Sequence, residues 1–106
     1  MATSLQALQD QYFYLTQNLS DLKDKCQTQD QVDALLAQYA ASRSNYFSCI
    51  NKTLQDDDPN VATLVQQMNT EQKTLKAAIS QLGDIATVIN VITEAVKVGT
   101  KLASVL

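Results

Sequence analysis

Residues 85–106 read IATVINVITEAVKVGTKLASVL. Polar residues recur at Thr87, Asn90, Glu94, Lys97, Lys101 and Ser104, in steps of three and four, so on a helix they form one narrow line. The rest of the circumference is apolar and divides into two seams. One runs through Ile85, Ile89, Ile92, Val96, Gly99, Ala103 and Leu106; the other runs through Val88, Val91, Ala95, Val98, Leu102 and Val105. One neighbouring helix covers one seam, so a second neighbour or a second molecule has to cover the other. Val88, Val91, Ile92, Ala95, Val98, Leu102 and Val105 are therefore expected to form an interaction face.

The stretch is not expected to span a membrane, because Glu94, Lys97 and Lys101 would all sit in hydrocarbon. A soluble helix that needs cover is the expected state.

Upstream, Asp56-Asp57-Asp58-Pro59-Asn60 is the clearest punctuation in the chain. Asp58 suits an N-cap, Pro59 suits the first helical position, and clustered acids favour the positive end of a helix dipole. Before this turn the apolar positions Leu5, Leu8, Tyr12, Leu15, Leu19, Leu22 and Cys26 alternate threes and fours. The same count continues through Gln29, Asp33, Leu36, Ala40, Arg43, Phe47, Ile50 and Leu54. After the turn, Val61, Leu64, Met68, Glu71, Leu75, Ala78 and Leu82 lead in phase into the first seam of residues 85–106.

The expected fold is all-α: a single domain, 1–106, built as a long antiparallel helical hairpin with helices about 4–55 and 59–105. At 1.5 Å per residue each arm would be roughly 70 to 80 Å long. Such a hairpin offers one seam against an ordering cost of about 1 to 2 kcal/mol per residue, so it is expected to self-associate. Its pairing puts Ile50 with Leu64, Phe47 with Met68, Ala40 with Leu75 and, at one polar level, Arg43 with Glu71. That last pair is expected to fix register.

A second solution comes from the weak points. Lys23 to Gln31 (KDKCQTQDQ) contains a capping box in Thr28 and Gln31, and Gly83-Asp84 interrupts the other arm at the same height. Breaks near 27–30 and 83–84 would fold the hairpin over into a monomeric up-down four-helix bundle.

Composition bounds the chemistry. The 106 residues are 45% apolar and 18% charged, with two glycines and one proline, which leaves few of the turns an all-β or α/β fold needs. The net charge is −3 and Arg43 is the single arginine, so nucleic acid is not an expected partner. The chain has no histidine, the commonest general base near neutral pH and the commonest metal ligand. No catalytic residue, metal site or cofactor is expected.

Cys26 and Cys49 are expected to be free thiols, because neither fold brings them within the roughly 7 Å that a disulfide tolerates. The first residues, MATSLQALQDQYFYL, lack the basic and apolar regions of a cleavable signal. The expected location is the cytoplasm, or export by a route without such a signal. Tyr12, Phe13 and Tyr14 cannot all face one seam, so at least one ring is offered outward, either to anchor a partner or to be buried within a dimer or bundle.

The functional expectation is a non-enzymatic helical protein–protein interaction or oligomerisation module, paired with itself or with another helical protein. Two rival readings are a membrane-active component of an α-helical pore-forming assembly and a small acidic inhibitor or immunity-type binder.

Overall fold

The computed structural model of the chain describes residues 3–52, 56–81 and 83–106. They form α1 (Ser4–Lys25), α2 (Gln29–Cys49), α3 (Pro59–Gln81) and α4 (Ile85–Val105). Leu54 and Leu82, two expected seam positions, lie outside the described residues.

The folded-over solution is the one adopted. The molecule measures 42 × 22 × 18 Å, too short for arms of the hairpin length. Both breaks supply their own caps. Thr28 Oγ1 accepts from Gln31 N at 3.1 Å, and the Gln31 side chain in turn accepts from Gln27 N at 2.6 Å. Asp84 Oδ1 accepts from Ala86 N at 3.2 Å and its Oδ2 from the Thr87 hydroxyl at 3.1 Å. Capping satisfies the amides that a break frees, so folding over costs little, and it buries the second seam that a straight hairpin leaves wet.

The acidic turn divides its labour. Asp58 Oδ1 caps α3, accepting from Asn60 N at 2.8 Å, with Pro59 at the first helical position. Asp56 Oδ1 reaches across to Ser4 N at 2.8 Å and closes the start of α1, beside Thr3, which accepts from Gln6 N at 3.1 Å.

The start of α1, the end of α2, the start of α3 and the end of α4 share one end of the bundle, where Leu8, Cys49, Val61, Met68 and Leu102 pack together. At the other end Leu22, Leu35, Leu75, Ile79, Ile85 and Ile92 close a larger cluster. The helices thus run up, down, up, down. Around the bundle α1 neighbours α2 and α3, α4 neighbours α2 and α3, and α1 meets α4 across one diagonal. α2 and α3 occupy the other diagonal and are not neighbours.

This arrangement overturns the expected Arg43–Glu71 pair and the seam pairings of Ile50, Phe47 and Ala40. Arg43 lies on α2 and Glu71 on α3, at opposite corners. Arg43 is exposed, with its guanidinium carbon 5.0 Å from the Phe47 ring centroid, and Glu71 is half-buried beside Thr70 and Val98. The polar level inside the bundle is a different one. Gln11, 1% exposed, donates from Nε2 to the Ala95 carbonyl at 2.9 Å, and Asn45 Nδ2 donates to Thr100 Oγ1 at 3.0 Å. Gly99 sits between them, close to the Gln11 and Asn45 side-chain amides and Met68 Cε.

Candidate interaction surface

The expected α4 face is mostly core. Val88, Ile92, Ala95 and Leu102 are buried inside the chain, and Val91 and Val98 are half-buried against the two clusters. Only Val105 is exposed. The reason is the bundle itself: α2 and α3 both neighbour α4 and between them cover both seams, including the one expected to face a partner.

The aromatic residues divide differently from their order in the chain. Tyr14 turns toward α3, half-buried against the larger cluster, with Lys76 Nζ 5.4 Å from its ring centroid. Tyr12 and Phe13 turn toward α2. There they meet Tyr39, Tyr46 and Phe47, so five of the six aromatic residues of the chain form one sheet of rings on the outside of the α1/α2 pair.

Tyr12 is the hub. Its centroid lies 5.7 Å from Phe13, 5.7 Å from Tyr39, 5.9 Å from Tyr46 and 5.8 Å from Phe47. The contacts are mainly tilted or edge-on, the geometries that the ring quadrupoles favour. Polar groups hold the sheet at its margins: Gln9 Nε2 donates to the Tyr46 hydroxyl at 3.3 Å, and Thr16 Oγ1 lies 3.4 Å from the Tyr39 hydroxyl. The Thr16 contact first, then the Tyr12 hydroxyl, hold the Tyr39 phenol below its ordinary value, against an opposing effect of burial and with the positive charge of Arg43 adding least.

The surface exists because α2 is built inside out. Its buried residues are Leu35, Ser42, Asn45 and Cys49, of which only Leu35 is large and apolar. Other bulky apolar side chains lie on an outward stripe: Leu36 is 36% exposed, Phe47 49% and Ile50, at the C-cap, 39%. With Phe13 at 46%, four of the five large exposed apolar side chains among the described residues lie on α1, on α2 or at the C-cap of α2. On this inner face the Asn45 side chain reaches the Thr100 hydroxyl of α4.

The sequence reading named Tyr12, Phe13 and Tyr14 together, of which Tyr14 packs against the core cluster, and it did not name Leu36, Tyr39, Tyr46, Phe47 and Ile50 for this face. The signal was present: Tyr39 and Tyr46 lie seven apart, in phase with one another and on the side that an antiparallel α1 presents Tyr12. An apolar surface of this kind, with one guanidinium at its centre, can stack, pack and make a cation–π contact. Cys26 is half-buried at the far end of α1 with its thiol pKa pushed up by burial, and Cys49 is closed in the core beside Leu8.

No protein-family model matches this chain, and no curated protein or solved structure matches it.

Proposed function

We propose that the chain is a non-enzymatic helical interaction module whose docking surface is the aromatic face of α1 and α2. The observation that carries this reading is the division of α2: Leu36 and Phe47, with Ile50 at its C-cap, face outward, while Ser42 and Asn45 are buried beside Leu35 and Cys49. A helix that serves only its own bundle has no reason to keep Leu36, Phe47 and Ile50 in water, since contiguous exposed apolar surface marks interaction sites. Aromatic residues and arginine are also the side chains most often found to dominate interface energetics.

The membrane-active reading has less support. Releasing α4 would pull Ile92, Ala95 and Leu102, each 0% exposed, out of a closed core. Among the described residues, no helix is long and apolar enough to cross a membrane.

The test is photo-cross-linking in the cell of origin, with p-benzoylphenylalanine at position 47 and, as the control, at position 77 on the exposed side of α3. Discrete protein adducts at 47 and none at 77 are the expected result. Equal or absent labelling at both positions would overturn the reading.

A further inference from the structure

Leu36, Ala40, Arg43 and Phe47 of α2 and Ile50 at its C-cap follow one another in steps of four, three, four and three, and all five are exposed. That is the spacing of a helix-packing seam, left without a partner inside the chain. We infer that its occupant is a second copy of this chain, with α2 packed antiparallel on α2 about a two-fold axis near residue 38. The inference rests on the interaction-module reading and names its partner.

Three features favour a second copy. Reversal about residue 38 sets Leu36 against Ala40 of the other copy, twice by symmetry, and sets Phe47 against Gln29, so the apolar contact lies at the centre of the pair. The small Ala40 admits the Leu36 side chain and lets the helices approach. The charges match as well: Asp33 and Arg43 are both exposed and stand five positions either side of the axis. Each Asp33 therefore meets the Arg43 of the second copy, twice by symmetry, with the Gln29 amide already hydrogen-bonded to the Asp33 carboxylate at 2.9 Å. A parallel pair would instead set Arg43 beside Arg43 and Asp33 beside Asp33, which repel.

The third feature is size. At about 1.5 Å per residue the 21 residues of α2 run for about 31 Å. With the flanking Tyr12 and Phe13 of α1, a strip roughly two helix widths across offers on the order of 600 Å² per copy. That reaches the lower edge of specific stable interfaces, which bury about 1,200 Å² in total.

Sedimentation equilibrium of the purified full chain tests this. Wild-type protein is expected to move from the 11.6 kDa monomer toward twice that mass between about 10 µM and 1 mM. Asp33→Arg and Arg43→Asp singly are each expected to weaken the dimer about tenfold or more by placing like charges together, and the double variant Asp33→Arg/Arg43→Asp to restore it. Both positions are exposed, so circular dichroism should show the helices intact in every variant.

A wild-type monomer throughout that range overturns the second-copy inference. If position 47 still cross-links to a different protein, the interaction-module reading stands without it. A dimer that ignores both single charge reversals, or a double variant no stronger than the singles, overturns the antiparallel register.

Discussion

Gln11 and Ala95, 84 positions apart in sequence, are joined by a 2.9 Å hydrogen bond from Gln11 Nε2 to the Ala95 carbonyl across the diagonal of the bundle. Gly99, one turn further along α4, leaves the space the amide occupies: a Cβ there would lie 2.7 Å from Gln11 Oε1 and 3.4 Å from Met68 Cε. Gly99→Ala should therefore cost about 1 to 3 kcal/mol in overpacking, against a gain of roughly 1 kcal/mol in helix propensity, and destabilise the protein on balance. In a Gln11→Ala background the obstruction is gone and the same change should stabilise. Urea unfolding of the four proteins in a double-mutant cycle reads the coupling, and simple additivity would show that the two residues do not share the space.

The three consecutive aspartates should be distinguishable by stability. Asp56→Ala removes the carboxylate that closes the start of α1, and Asp58→Ala removes the α3 cap; each should cost about 1 kcal/mol. Asp57→Ala should fall within about 0.5 kcal/mol of wild type, as exposed substitutions away from such features do. Equal midpoints for all three variants in thermal unfolding would refute this division.

Ile92 and Val105 separate the core role of α4 from any surface role. Ile92 is 0% exposed, so Ile92→Ala should cost about 2 to 5 kcal/mol, a large share of the total stability of a domain of this size. Ile92→Asp would bury an unpaired carboxylate and should leave the chain unfolded at room temperature. Val105→Lys, at a position 53% exposed, should change the unfolding midpoint little. A folded Ile92→Asp protein would mean that α4 is not held as the structure has it.

The two thiols should report local and global opening separately. Cys26 is half-buried, with burial raising its thiol pKa, so alkylation in native buffer should be slower than for a free cysteine but complete. Cys49 is 0% exposed and should react only through unfolding, at least about a hundredfold more slowly than Cys26. Mass spectrometry of the alkylated peptides with and without urea measures both rates. Native labelling of Cys49 as fast as that of Cys26 would contradict its closure in the core.

Much of the helical architecture was legible in local chemistry. Thr28 with Gln31, Gly83 with Asp84, and Asp58 with Pro59 marked the α1/α2 and α3/α4 breaks and the start of α3, because capping and turn formation depend on residues a few positions apart. The aromatic face was half legible: Tyr12 and Phe13 had to include an outward ring, but which residues of α2 would join them depended on where α2 sat.

What the sequence determined alone was the all-α class, the seams along each helix and the residues able to end them. Only the tertiary structure decided which seam went inside. At α2 the stripe of Leu35, Ser42 and Cys49 and the stripe of Leu36, Arg43 and Ile50 are one position apart, about 100° around the helix, and the second, which Phe47 adjoins, carries more bulky apolar surface. Local pattern favoured burying the second against α3. The bundle placed α3 on the diagonal and α4 alongside, and α4 already carried enough apolar surface for both neighbours. A small polar inner face on α2 packs closely against such a helix, so the bulk of α2 was left facing out.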